Sequence, residues 1–498
     1  MDKFEISKRI FFWVLFILFW LVSVIIIGYT FGYRFNFQRG VFVYAGSISI
    51  KTTPQTVNVY LNDVLMPPGM LSRLNSSYHI NGIQPGEYFL EIKAPDYQTW
   101  SKKISVHSGI ATEFWNIVLV QNSYAREDYD SAGIQKFFIS PRKNLAAFSQ
   151  QIENNFLVKI FNPGTLEINQ IFSSGDYVFT DDDKENIEWS PQADRLIIPA
   201  LKNEEKNYFI VTIDTKETLD LKVLTENSNL SHVRWDPKNK NVLFYMSDDN
   251  LYRMDINTPQ DKKIVAQHIA SYDLSPKALF YFQLPEGIVY KTSFDATDLP
   301  RQITTSAPDD MSDPLYQIII YDEDRIAFLN NKNHNLYIFN DGEENTYFNK
   351  LSSNALGSQF SDDGKKLLYW TDNEISVYFV RKWEVQPTRT ENENMSITRL
   401  ADSIQNVQWT RDYEHVLFTN DDKVKLIEID NRDHRNMMDV LSLNDTSSIL
   451  VNNFTDSKLY YTEKNDQGQN ALHAIYFPEQ TTLLQNLFPS TPATDTTN

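Results

Sequence analysis

Between residues 134 and 488 one pattern recurs eight times: an apolar or aromatic run, a polar turn, a second apolar run, a short polar gap and a third run. The plainest copy is Phe360-Ser361-Asp362-Asp363-Gly364-Lys365-Lys366-Leu367-Leu368-Tyr369-Trp370, followed after Asp372-Asn373 by Ile375-Ser376-Val377-Tyr378-Phe379-Val380. Ser at the first turn position, Asp at the next two and Gly at the fourth suit a type I turn between two strands. The same slot holds Ser140-Pro141, Ser190-Pro191, Asp236-Pro237, Ser275-Pro276, Asp322-Glu323, Thr410-Arg411 and Thr455-Asp456. Where Pro is present, it presets φ at the first corner. The anchors are 50, 46, 39, 47, 39, 49 and 45 residues apart, the period of a unit of four short strands.

A unit of that size cannot bury its own apolar face, so it must stack on its neighbours, and an all-β array of this period is satisfied by radial closure. The fold expected is therefore all-β, with a β-propeller of eight four-stranded blades. Seven is the alternative count, because the last copy, with runs at 448–454, 458–462, 471–477 and 481–488, is the least regular. A pair of β-sandwiches or a β-helix competes, but neither needs a turn at this spacing.

Ahead of the repeats, residues 10–31 form 22 positions without a charge. As a helix rising about 1.5 Å per residue, such a run covers the roughly 30 Å hydrocarbon layer. It reads as a transmembrane helix; the competing reading is a cleavable signal peptide, whose apolar region is usually shorter. Lys3, Lys8 and Arg9 precede the span and Arg34 and Arg39 follow it, a narrow positive-inside bias. Residues 1–9 are expected in the cytoplasm and the bulk of the chain outside it. Tyr29, Tyr33 and Phe35 stand where an interfacial aromatic belt would lie. Gly28 and Gly32 form a small-xxx-small pair that would let two helices approach; the other reading is ordinary glycine use near a helix exit.

After a juxtamembrane segment at 32–46, short alternating strands are expected at 47–51, 57–61, 87–93, 102–106 and 115–120, with turn chemistry at Asn62-Asp63 and Gln84-Pro85-Gly86-Glu87. Residues 47–120 resemble the PEGA domain, a small β-sandwich of bacterial and archaeal envelope proteins. The resemblance rests on Ile48-x-Ile50, Pro54, Val57-x-Val59-Tyr60-Leu61-Asn62-Asp63, Pro85-Gly86-Glu87-Tyr88-x-Leu90-x-Ile92, Tyr97, Ile104-x-Val106 and Gly109. Asp96 stands where that family usually has Gly, and Met66-Pro67-Pro68-Gly69 where it often has Gly-x-Thr-Pro. Residues 121–133 then read as a linker, 134–488 as the propeller and 489–498 as a disordered polar tail. The propeller resembles the TolB type, whose repeat carries Ser-Pro-Asp-Gly before an apolar strand; Ser361-Asp362-Asp363-Gly364 and Trp189-Ser190-Pro191 are the nearest copies. Trp235-Asp236 precedes its turn instead of ending a strand, which disfavours the WD-repeat subfamily.

Charge separates the two halves. Residues 1–120 carry 10 basic and 7 acidic side chains, leaving 36 against 58 in the remainder of a chain of net charge −19. So acidic a propeller repels phosphate backbones, and no nucleic acid is expected as a partner. Anionic lipid would repel it too, which favours standing off from the bilayer on the small domain. With no Cys, disulfides, thiolate metal sites and a cysteine nucleophile are excluded.

The chain has neither a Gly-x-Ser-x-Gly elbow nor a Gly-x-x-x-x-Gly-Lys loop. His79, His107, His232, His268, His334, His415, His434 and His473 are never closer than 19 residues, so none forms a pair at metal-ligand spacing. Asp181-Asp182-Asp183 and Asp248-Asp249-Asn250 lack the alternating ligands of a calcium loop and read as hairpin turns. Trp189, Trp235, Trp370 and Trp409 suit blade packing, with a sugar platform as the rival use. Hence no catalytic, cofactor-binding or metal-binding residue is expected, and the ligand-binding residues stay unassigned. The function expected is that of a single-pass, membrane-anchored extracytoplasmic binding or scaffold protein of the cell envelope, not an enzyme. The small domain would be its stalk and the propeller its protein-, peptide- or glycan-binding head, with loops 292–314 and 381–398 offered to a partner. The alternative is an extracytoplasmic hydrolase or lyase whose carboxylates converge at the propeller channel.

Overall fold

The structure, a computed structural model, describes residues 3–36, 40–67, 77–129, 132–142, 144–180, 185–311, 315–445 and 448–478. The run expected at 481–488, the expected disordered tail and the Asp181-Asp182-Asp183 turn lie outside the described residues.

A helix, Lys3–Thr30, opens the described chain, and its stretch Phe11–Thr30 is long and apolar enough to cross a membrane. Gly32 lies past its end with a left-handed φ of +92°, and a Cβ there would stand 3.2 Å from the Tyr44 ring. This glycine therefore serves a turn, and no continuous small-residue helix face runs from Gly28. The strands Tyr33–Asn36 and Val41–Tyr44 follow as an antiparallel hairpin.

The small domain is two sheets packed face to face. One has the order Ser77–Ile83, Gly46–Thr53, Ala111–Val118, with the last pair parallel. The other is antiparallel, ordered Val64–Met66, Asn58–Leu61, Gly86–Lys93, Trp100–Val106. Alternation turns Ile48, Ile50, Val59, Leu61, Leu90, Ile92, Trp100 and Ile104 inward, the period-2 pattern of a half-buried strand. Ser77–Ile83 escapes a sequence reading because its Tyr78 and Ile80 are only half-buried and are separated by His79. Asp96 adopts φ +65°, so the position where a glycine was expected does need a left-handed backbone.

Each repeat forms one antiparallel sheet, and the turn predicted at its anchor joins the innermost strand to the second. Seven sheets follow in chain order, beginning with Ile134–Ile139, Ala146–Ile152, Asn155–Asn162 and Glu167–Ser174 and ending with Ile404–Trp409, His415–Asn420, Lys423–Glu428 and Met437–Ser442. In the second sheet the innermost strand is broken into Val178–Phe179 and Glu188–Trp189, both paired with Arg195–Lys202. In the turns, Gly364 N donates to Ser361 O (2.8 Å) and Ala193 N to Ser190 O (2.8 Å), while Lys366 N and Arg195 N each donate to the anchor's Oγ at 3.0 Å. The fourth turn position is left-handed in Gly364, Ala193 and Tyr413, which is why glycine suits it and why its absence elsewhere carries a local strain.

The last sheet departs from the reading. It is ordered Glu127–Asp128, Asn470–Tyr476, Lys458–Lys464, Leu450–Asn453, so the strand beside Asn470–Tyr476 comes from residues read as a linker. This latch closes the array: first and last parts of the propeller share one sheet, the arrangement that leaves no open end. The fold is a β-propeller carried behind a small β domain and an apolar helix.

Candidate functional site

The first candidate lies at the propeller axis, where the innermost strands of the first five repeat sheets line a cavity of about 560 Å³. Aligning the repeats on their turns shows why it is polar. The residue two before each anchor is Phe138, Glu188, Arg234, Asp273, Ile320, Gln359 and Gln408 along the first seven sheets. Of these, Glu188, Arg234 and Asp273 line the cavity, whereas Phe138 and Ile320 pack against apolar clusters.

Arg234 sits between two carboxylates, 2.9 Å from Glu188 Oε2 and 3.2 Å from Asp273 Oδ1. Those carboxylates also cross to the next sheet: Trp235 N donates to Glu188 Oε1 (3.1 Å) and Ile320 N to Asp273 Oδ2 (2.8 Å). The pattern continues without charge, with Ile318 N donating to Ser271 Oγ (3.1 Å) and Asn452 N to Gln408 Oε1 (2.9 Å). These side chains form a belt of inter-sheet hydrogen bonds. Burial raises the Glu188 carboxyl above the usual range although Arg234 draws it back. The two carboxylates in turn, Glu188 foremost, hold the guanidinium more firmly charged. Burial raises the Tyr272 phenol, which donates to Phe244 O at 3.0 Å and to His232 O.

The second candidate is the seam between the small domain and the propeller. Lys102 is fully buried, its ammonium 2.8 Å from Glu428 Oε1, donating to Asp430 O (2.9 Å), Arg432 O (2.9 Å) and His434 O. Trp100 Nε1 donates to the other oxygen of Glu428 (3.0 Å), and Asn436 donates to Oε1 from its backbone (2.7 Å) and its amide (2.8 Å). The cores join as well: Ile104 and Phe114 belong to one apolar cluster with Leu417, Leu426, Leu459 and Ile475. The small domain is therefore fixed to the head, not a separate stalk. Loop 381–398, offered to a partner, serves this docking: Gln386 Nε2 donates to Ala111 O (2.9 Å) and Gln386 Oε1 accepts from Glu113 N (3.0 Å). Within loop 292–314, Leu299 is almost fully exposed.

Two cavities, of about 220 and 400 Å³, flank the seam beside Trp115. One reaches the buried His415, whose Nδ1 is 2.8 Å from Asp412 Oδ2. Burial works against charge on both groups, but their attraction outweighs it, so Asp412 is held down at about 2 and His415 above its usual value. A histidine raised on folding stabilises fully below about 6.5 and loses that contribution as pH rises through its folded value. The depressed Asp412 contributes above about 4 and loses its share as pH falls toward 2. We expect the thermal midpoint to decline above about pH 6.5, and His415→Gln to flatten that decline; equal slopes in both proteins would refute the assignment.

The other expected features are dispersed. Trp189, Trp235 and Trp409 are buried, as blade packing requires, and Trp370 is half-buried. His79 meets Ser49 and Ser77, His434 meets Asp433, and His473 meets Asp128. Asp248 and Asp249 form the turn between the paired Ser247 and Asn250. Among the described residues no group of three or more His, Asp or Glu side chains is placed to hold a metal ion.

Among solved structures the chain is similar to a Dos1 propeller, at 10% identity over 70% of this chain and 94% of that one, with a TM-score of 0.47. It is also similar to an oligogalacturonate lyase in complex with manganese (12%, 72% and 98%, 0.38) and to Kluyveromyces lactis Hsv2 (10%, 62% and 98%, 0.41). All three scores fall below 0.5, and the fold assignment rests on the strand pairing described above. No curated protein matches the chain. Residues 45–122 match the PEGA domain family.

Proposed function

We propose that the chain is a single-pass protein of the cell envelope, anchored by its apolar helix with residues 1–9 cytoplasmic and the bulk extracytoplasmic. Its TolB-type propeller of eight blades would serve as a binding or scaffolding head for a protein, peptide or surface glycan. The eight-blade count is supported by seven consecutive repeat sheets and an eighth completed by the latch. The observation that carries the binding reading is the commitment of the axial carboxylates: Glu188 and Asp273 each accept from Arg234 and from a backbone N–H of the next sheet. Such a belt makes a rigid recess suited to recognition.

Capture from envelope extracts on full-length protein in detergent, together with glycan and peptide arrays, tests this reading. Saturable binding without turnover is the expected result. One observation favours the hydrolase or lyase reading: Glu188 lines the cavity, with its carboxyl raised and its side chain 24% exposed. Array members cleaved by the natural protein and left intact by Glu188→Gln would replace binding with catalysis. For the binding head, Glu188→Gln is expected to lower stability by only about 0.2–1 kcal/mol, since the ion pair is partly open to solvent. Protease added to intact cells checks the topology; a protected propeller would reverse it.

A further inference from the structure

We infer that the hairpin following the helix is a second membrane contact, its aromatic face lying in the headgroup layer; this rests on the membrane-anchor reading above. In the hairpin register Tyr33 pairs with Tyr44 and Phe35 with Phe42. The ring centroids are 5.5 and 5.1 Å apart. Positions two apart on a strand share a face, so all four rings stand on one side. All four side chains are exposed, Phe42 the most. A lone two-stranded ribbon is marginal in water, and a contiguous exposed aromatic face marks a surface made to be covered.

The chain itself indicates what covers it. The apolar stretch ends at Thr30 after 20 residues, enough helix to bring that end to the far edge of the hydrocarbon layer. The hairpin begins three residues later and is tied to the helix end. Arg34 Nη1 donates to Tyr29 O (2.8 Å) and its guanidinium lies 3.5 Å from the Tyr29 ring centroid. Ala45 N donates to Gly32 O (2.8 Å), which closes the base of the hairpin against the helix exit. The face is thus held at the depth where aromatic rings are favoured. On its other flank Gln84 Nε2 donates to Phe35 O (3.1 Å) and Ser108 Oγ to Tyr44 O (2.9 Å), so the small domain rides on the same element.

The absence of Cys makes the test direct. Single variants Leu18→Cys, Phe42→Cys and Leu299→Cys of the full chain would carry a nitroxide in phosphatidylethanolamine and phosphatidylglycerol vesicles, with accessibility to oxygen and to a nickel chelate read by EPR. The Leu18 label should be oxygen-accessible and nickel-shielded, the Leu299 label the reverse, and the Phe42 label several-fold less nickel-accessible than the Leu299 label. A Phe42 label as nickel-accessible as Leu299's, with Leu18 shielded, overturns the hairpin contact while the anchor stands. Nickel access at Leu18 overturns both. Spin–spin broadening at Phe42 without nickel shielding would assign the face to a second copy of the chain and overturn the proposal.

Discussion

Lys102→Met should lower stability by about 3–5 kcal/mol and free the small domain from the propeller. Removing one partner of a buried ion pair costs that much because the other charge stays buried without compensation. Here the loss strips Glu428, itself only 7% exposed, of its cation and leaves the carbonyls of Asp430, Arg432 and His434 without their shared donor. The double variant Lys102→Met, Glu428→Gln should recover part of the loss, since no buried charge is then left over. Lys103→Met, on the exposed face of the same strand, should be near neutral. Calorimetry and small-angle scattering read the two consequences, a lower midpoint and a larger radius of gyration. A Lys102→Met protein as stable and compact as its parent would show that the seam is held by apolar packing alone.

Replacing residues 126–129 with Gly-Ser-Gly-Ser should do comparable damage at the other joint. Three successive charged residues of this segment each meet a partner in the last sheet: Arg126 with Glu463 (2.8 Å), Glu127 with Lys458 (2.6 Å) and Asp128 with His473 (2.8 Å). Tyr129 N donates to Leu472 O (3.1 Å), and its buried ring lies 4.7 Å from that of Phe161 in the first sheet. Losing a buried aromatic side chain costs about 3–5 kcal/mol. The nearly buried Lys458 would also lose its carboxylate. The bare edge of Asn470–Tyr476 would then offer itself to other chains. Concentration-dependent sedimentation and a lowered thermal midpoint are the expected readouts; sedimentation and a midpoint unchanged from the parent would mean that the ring does not depend on the latch.

The repeat was legible because turn chemistry is local: Ser, Asp and Pro at the anchors act within six residues of themselves. The latch was not, because two charged residues have no periodicity to detect and their partners lie hundreds of positions away. Lys102 did carry a signal. It occupies the inward register of Trp100, Ile104 and Val106, where a lysine in an alternating strand announces a buried partner. The axial belt was equally open to view, since the residue two before each anchor is polar in five of the first seven repeats. The docking role of loop 381–398 was not legible because length and polarity do not distinguish a free loop from one that clasps another part of the chain.

The latch also sets a timetable for biosynthesis. Asp128 meets His473, 345 positions later, and at the usual ~5–20 residues per second of translation that separation is roughly 20–70 s. For that interval every sheet already made waits in an open arc, and the strand that will seal the ring has nothing to pair with. Closure thus waits until Asn470–Tyr476 has been made. Any ribosome that stalls before the codons of Asn470–Tyr476 releases a product with a permanent gap, recognisable to quality-control proteases by its raw edges.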